Sequence, residues 1–431
     1  MSITPLKHIF YNENLPSNWE IKTVDTIKSK EKYSCTAGPF GSNISSKYFV
    51  EDGIPVIRGG NLSLGQEQFI AKNFVFITEE KARSFPGQHV KSGDLIFTCW
   101  GTLGQVALIP KNSPYKEYII SNKQLKLRIN NKECNEKYLY YYFSLPQMVR
   151  HINDIAIGSA VPGINLGLLK SLKIVCPPLE QQNKIAAVIS AYDDLIENNK
   201  RRIELLEKMT EEIYREWFVR FRFPGWETAE FEKGIPKGWS VEKIKSIVDR
   251  KKFGRIYRDN ELKSDGKIVV IDQSKSNYLG FYDGKPEHKA SIDVPKILFG
   301  DHTCKIVLIH RDFSLAENVI PFTPIEGMPV HFLFHLIKNK AIQTEYKRHW
   351  TDLTVQEVLI PPNILQEEFS ILVKNNYQLI ENLKEVIETL NKSKNLLLPR
   401  LISGKLSVEE LDIQFPPSMQ EDLTVESLKK K

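Results

Sequence analysis

The chain has 431 residues, 41% of them hydrophobic and 26% charged, with a formal net charge of +6, enough for two or three domains with cores of their own. No apolar run approaches the roughly eighteen residues of a membrane helix, and the opening MSITPLKHIFYNEN lacks the apolar stretch of a signal peptide, so a cytoplasmic protein is expected. Five cysteines without a C-x-x-C spacing fit a reducing compartment and supply no zinc pattern.

In chain order, the first word is LPSNWEIKTVDTI at 15–27, whose Pro16 and Trp19 are expected as core anchors rather than base stackers. Further on, the strand-like IPVI runs straight into Arg58-Gly59-Gly60-Asn61. Polar side chains and close backbone approach coincide there at a strand end, so Arg58 and Asn61 are candidate DNA contacts. The alternative is a tight turn with Arg58 snorkelling.

Apolar Ile174-Val175 then leads through Pro177-Pro178 into a heptad seam, with Ile185, Ile189, Tyr192, Ile196, Asn199, Ile203, Leu206, Thr210, Ile213 and Trp217 spaced alternately by four and three. No Gly or Pro interrupts the run. At about 1.5 Å per residue such a helix extends roughly 50–60 Å, longer than a globular domain needs, and looks like a spacer.

The chain then repeats itself. IPKGWSVEKIKSI at 235–247 restates the first word, with Trp239 on Trp19, and Pro361-Pro362 restates Pro177-Pro178. LIEN stands at both 195–198 and 379–382. The two offsets, 220 and 184, make the second copy 36 residues shorter between its shared ends, so the ends are repeated while the middles differ. The second seam reads Phe369, Val373, Asn376, Ile380, Leu383, Ile387, Leu390, Lys394 and Leu397, with Pro399 expected to close its helix. Asn199 and Asn376 at seam positions either set register or mark where the seam turns outward. An antiparallel pair follows if the copies are related by a pseudo-twofold axis.

Charge divides along the same lines. Lys and Arg outnumber Asp and Glu 20 to 13 in residues 15–176 and 20 to 16 in 237–362, whereas 177–236 hold 9 against 12 and 363–431 hold 9 against 11. Basic middles suit a polyanion and mildly acidic helices suit protein or solvent. The strongest basic segment is RKKFGRIYR, where Arg250, Lys251, Lys252, Arg255 and Arg258 surround Phe253, Gly254 and Tyr257. It is a DNA-contact candidate or a solvated basic face. Gln273 and Lys275, following the strand-like KIVVI, are further candidates, since Gln reads adenine and Lys serves phosphate or guanine.

Catalytic motifs are missing. There is no G-x-G-x-x-G, no G-x-x-x-x-G-K-[ST] and no H-E-x-x-H, and the amino-methylating Asn/Asp-Pro-Pro-aromatic motif is absent too. GFYDGKP has the wrong spacing for a phosphate loop, and the nine histidines are scattered. No catalytic residue and no metal ligand is therefore assigned, and the chain reads as a binder. The alternatives are a structural coiled-coil adaptor, or a DNA-modifying enzyme with an unrecognised active site.

Several segments resemble one family. GPFGSNISSKYFVEDGIPVIRGGNL at 38–62 looks like the opening of a target recognition domain, PPLEQQNKIAAVISAYDDLIENNKRRIELL looks like a central conserved helix, and REWFVRFRF and LLLPRLISGKL look like the ends of two conserved regions. Together they resemble the specificity subunit of type I restriction-modification systems over nearly the whole chain. The resemblance implies an α+β protein with an internal pseudo-twofold repeat. Target recognition domains at 1–176 and 223–362 would be separated by two long antiparallel coiled-coil helices at 177–222 and 363–402, with a tail at 403–431. It also implies that the chain itself is non-catalytic and reads a bipartite, asymmetric site in double-stranded DNA. Its helices would dock two adenine methyltransferase subunits, which use S-adenosylmethionine, and ATP- and Mg2+-dependent restriction or translocase subunits would join the complex. No membrane partner and no cofactor in this chain are implied.

Overall fold

The computed structural model describes residues 15–158, 162–274, 278–341 and 349–420. The chain forms two compact units, one from the residues up to Glu197 together with those from Thr389 on, the other from Asn198 to Glu388. Each is mixed α and β, as expected.

Unit one is entered by strand Glu20–Thr23, which pairs antiparallel with Lys173–Cys176, so that Glu20 faces Cys176. Between them lie two small sheets. The first has the order β1 (Cys35–Ala37), β6 (Gln124–Leu127), β3 (Leu95–Thr98), β4 (Val106–Leu108), all antiparallel. The second is built on β2 (Ile54–Ile57) and β5 (Tyr118–Ile120), which run parallel, with Val75–Ile77 and His89–Val90 on its edges. The strands are short and rich in β-branched residues, and most are buried on both faces, hence near-continuous apolar words rather than alternating ones.

Cys176 is followed by Pro177-Pro178 and then by α1 (Leu179–Tyr214). Proline cannot donate to a ladder but suits a helix start, so the pair ends the strand and begins the helix. Gln182 locks the junction by donating its side-chain amide to the Pro177 carbonyl at 2.8 Å. Trp19 packs on the unit's core and donates its indole N–H to Gln181 at 2.8 Å, the anchoring role expected of it.

Unit two repeats this plan. Ser240–Lys243 pairs with Glu357–Ile360, and its four-stranded sheet has the order β7 (Val248–Arg250), β12 (Val319–Pro324), β9 (Lys296–Gly300), β10 (Ile306–Ile309). The second sheet again holds a parallel pair, β8 (Ile268–Ile271) beside β11 (Phe313–Leu315), with Gly280–Tyr282 at one edge. Helix α2 (Val330–Ile337) packs its Phe332 and Leu333 into the core with Phe299, Phe322 and Phe369. Trp239, the restated tryptophan, lies against Phe218 and Phe221. Pro361-Pro362 precedes α3 (Asn363–Ile402), and Gln366 donates to the Pro361 carbonyl at 2.8 Å, the same lock one repeat later.

The long helices run antiparallel. In unit two, Tyr214 and Trp217 near the end of α1 meet Phe369 near the start of α3, with Ile203, Leu206 and Ile213 packed on the same core as Val373 and Ile380. In unit one, Ile185 and Ile189 near the start of α1 cluster with Leu398, Leu401 and Ile402 at the end of α3, and Lys394 pairs with Asp193 at 2.7 Å. Ile196 and Asn199 are buried, as is Leu383, while Ile387 and Leu390 are half-buried.

Two expectations are corrected here. Asn376 is only half-buried, and Tyr377 takes the inward place beside it, because its ring stacks on His331 and its hydroxyl is hydrogen-bonded with His335 Nε2 at 2.8 Å. Pro399 does not close the second helix, which continues to Ile402. So near the C-terminus the proline forfeits one hydrogen bond of the last turns, and the stop falls instead at Gly404, whose φ is +75°.

Candidate nucleic-acid interface

Corresponding backbone hydrogen bonds fix which loops of the two units are equivalent. In unit one Ser121 donates to the Ile57 carbonyl at 3.0 Å, and Cys99 to the Lys123 carbonyl at 2.9 Å. In unit two Ala316 donates to Ile271 at 2.9 Å, and Asp301 to Asn318 at 2.9 Å. Arg58 therefore stands where Asp272 stands, Gly59 where Gln273 stands, and Trp100 where His302 stands. Two segments picked out independently as DNA-contacting thus occupy one topological position, the loop leaving the C-terminal end of the inner parallel strand.

In unit one this loop helps to wall a cleft of about 580 Å³, lined by Arg58, Gly59, Gly60, Trp100, Gln105 and the Ser121–Gln124 segment, among others. Arg58 is exposed, and its guanidinium donates to the Asn73 carbonyl at 3.2 Å, which leaves other N–H groups facing solvent. Lys123 is exposed beside it. Gln124 forms the floor; its amide nitrogen has no hydrogen-bond partner among the described residues. The neighbouring 38–43 loop is held by Asn122, which donates to the Gly41 carbonyl at 3.0 Å. Only glycine fits at 38, because a Cβ there would stand 1.8 Å from the Ser121 carbonyl oxygen. The loop so pinned presents Phe40 at 93% exposure.

Asn61 departs from its expected role. It is 2% exposed, accepts from the Arg58 N–H at 2.9 Å and donates to the carbonyls of Ile70 and Lys72, both at 2.9 Å. All its polar capacity goes into shaping the loop that carries Arg58. The charge count needs a similar correction, since Lys126 and Arg128 are not available to a polyanion. Lys126 is buried, donates to the carbonyls of Gly87 and His89, and burial lowers its pKa to about 8. Arg128 forks onto Asp94 through two 2.7 Å bonds.

In unit two, Gln273 accepts from the His302 N–H at 3.0 Å, and its carbonyl accepts from Thr303 at 2.7 Å, so it braces the β9–β10 hairpin. Lys275 lies outside the described residues. In RKKFGRIYR, Arg250, Lys252, Arg255 and Arg258 are exposed and Lys251 is half-buried. The Arg250 guanidinium lies over Phe253 at 5.0 Å and that of Arg255 over Tyr257 at 4.6 Å. Lys251 pairs with Asp249 and Arg255 with Glu261. Gly254 adopts φ +71°, with the Glu287 side chain against the place of a Cβ. The segment is thus a set of five cations, of which Arg250 and Arg255 are propped on aromatic rings and Lys251 and Arg255 are already partnered by carboxylates.

Trp100, Lys123 and Phe40 were missed in the sequence. The only local signal was WGTLG, an aromatic next to turn glycines between the apolar words LIFT and VAL.

No group of three or more metal-ligating side chains occurs among the described residues. No described helix is long and apolar enough to cross a membrane. A family model for the type I restriction modification DNA specificity domain matches residues 16–208. Over 436 residues the chain is 28% identical to the type I restriction enzyme MjaIX specificity subunit of Methanocaldococcus jannaschii, covering 92% of this chain and 95% of that one. The putative MjaX specificity subunit of the same organism is 22% identical over 426 residues, with the same coverage. The crystal structure of the type I restriction-modification system S subunit from M. genitalium shares the fold with a TM-score of 0.53 at 16% identity, covering 91% of this chain and 97% of that one. In sequence and in fold the chain is similar to the specificity subunits of type I restriction-modification systems.

Proposed function

We infer that the chain reads a bipartite site in double-stranded DNA, each unit taking one half-site with the loops at the end of its parallel strand pair. The observation that carries this reading is the equivalence of those loops. The same backbone frame holds Arg58, Trp100 and Lys123 in one unit and Asp272, His302 and Asn318 in the other. An identical frame with different reading residues is what two unlike half-sites require, because base edges are distinguished by side chains while the frame is set by phosphate contacts.

The paired helices serve as the platform for two adenine methyltransferase subunits. In both copies of LIEN the isoleucine is buried, while the leucine before it is half-exposed, Leu195 at 53% and Leu379 at 47%. Repeated, exposed leucines on a helix are poor solvent faces and good partner contacts. S-adenosylmethionine belongs to those subunits, ATP and Mg2+ to the restriction subunits, and the assembly works in the cytoplasm.

The isolated chain is expected to bind duplex DNA weakly with a steep salt dependence, and to gain sequence selectivity only with its methyltransferase subunits. Binding titrations on specific and scrambled duplexes at several salt concentrations, with and without those subunits, test this. Equal selectivity in both cases would overturn the platform role, and no selectivity in either would overturn the reading of DNA.

A further inference from the structure

We propose that Trp100 is a stacking residue that inserts against an unstacked nucleobase in the half-site read by unit one. This assignment rests on the reading of DNA by that unit's cleft. Trp100 sits at the rim of the cleft with 47% of its surface exposed, in a protein whose repeated tryptophans, Trp19 and Trp239, are packed on cores. A large aromatic left this open at the edge of a polar, cation-flanked cleft is matched by a flat apolar ligand face.

The ring is held in place. Gly163 lies beneath it, and a Cβ there would come 3.1 Å and 3.2 Å from the indole Cδ2 and Cε3, so one face of the ring rests on glycine backbone. The chain at that point is tied down by the Ile164 N–H, which donates to the Cys99 carbonyl at 3.1 Å, and by the paired Ile157 and Gly163 backbones. The hairpin that carries Trp100 turns through Gly101 and Gly104, at φ +97° and +85°. Gly104 presses so close to Val149 that a Cβ would stand 2.6 Å from its Cγ1. A ring seated on backbone yet 47% exposed loses little conformational freedom on stacking.

The surroundings suit nucleic acid over a protein partner. Lys123 and Arg58 line the same cleft as exposed cations available to phosphates, and the cleft also offers the unpartnered Gln124 amide. Aromatic wedges of this kind unstack a base step and hold it open. The equivalent hairpin position in unit two is His302, whose backbone N–H is engaged by Gln273 and which is half-buried. Wedging by a tryptophan is therefore confined to the half-site read by unit one.

The test uses the full chain assembled with its methyltransferase subunits, on a duplex carrying the site mapped from methylated adenines in cells expressing the complex. 2-Aminopurine is placed at successive positions of both half-sites. Apart from the methylated adenines and their immediate neighbours, which the methyltransferase subunits unstack in both half-sites, the wild type is expected to raise its fluorescence at one step of the unit-one half-site and at none of the other. Trp100→Leu should abolish that rise and weaken binding about 10- to 100-fold, while the number of ions released, read from the salt slope, stays the same. Trp100→Phe should restore most of both. Retention of the fluorescence rise or of full affinity by Trp100→Leu overturns the proposal, as does a Trp100→Phe variant no better than the leucine one, since that marks Trp100 as packing for the loop. A wild-type complex with no sequence-selective binding would instead overturn the underlying reading of the cleft.

Discussion

Three histidines in unit two, His310, His331 and His335, gather around Tyr377 with ring centroids 5.0 to 6.1 Å from it. Their sequence spacing gave no hint of this. His335 lies with Nε2 2.8 Å from the Tyr377 hydroxyl and turns Nδ1 toward Glu211 at 3.5 Å. Glu211 is held to about 2 by that contact with His335, assisted by Lys338 and Arg215. Burial pushes His331 down to about 3, with the neighbouring His310, His335 and Lys374 adding to the effect. Between the ordinary histidine value and pH 3 the unfolded chain therefore binds a proton that folded His331 refuses. Stability is intact above about pH 6.5 and falls as pH drops below it, by about 1.4 kcal/mol per pH unit for one such group. His331→Phe removes this group, so its thermal transition should move less than the wild type's between pH 7 and pH 5. Parallel pH profiles of the two melting temperatures would show that His331 is not held neutral.

At the scale of elements, the helix pair combines an apolar seam with one charged position. Lys394 stands at a seam place in α3, nearly buried, and donates to Asp193 of α1 at 2.7 Å; Asp193 also accepts from the Tyr141 hydroxyl at 2.7 Å. The pair thus joins the two helix segments of unit one to its globular part. Removing the lysine leaves a carboxylate partly buried with one donor lost, which costs more than the pair itself is worth. Lys394→Met should destabilise the chain by about 1–3 kcal/mol in urea denaturation. The double variant Lys394→Met with Asp193→Asn should recover part of the loss, because no charge is then stranded. A double variant as unstable as the sum of the two single ones would mean that the two groups act independently.

For the whole molecule, the repeated frame predicts modular recognition. Exchanging residues 237–362 for the corresponding segment of a relative replaces the sheets and loops of unit two up to Pro361-Pro362, while leaving the first Pro-Pro junction with its glutamine lock, and Gln366 of the second lock, in place. One half of the methylated sequence should change and the other should stay, as read by methylation mapping in cells carrying the hybrid. A change in both halves would mean that the units do not read independently.

The sequence alone determined the repeat, the helices and the anchors. Heptad spacing, the Pro-Pro junctions and the restated Pro-x-x-Trp words are local patterns, and a helix or a strand-to-helix junction is governed by neighbours in sequence. Even there, the inward place fell to Tyr377 and not to Asn376, since only the packed histidines reward the tyrosine's hydroxyl and ring. Of the site, Arg58 and Gln273 were legible as polar residues leaving apolar strands, yet their equivalence was not. It rests on the matching bonds from Ser121 to Ile57 and from Ala316 to Ile271, which join segments more than forty residues apart. Asn61 and Trp100 show the same limit from opposite sides. Both are side chains beside glycines in strand-end loops, but tertiary structure turned the amide inward onto three backbone groups and left the indole seated on Gly163 with 47% of its surface exposed. Strands of two to six residues carry too little pattern to fix register, so which loops meet, and which side chains they expose, is decided by long-range hydrogen bonding and close packing.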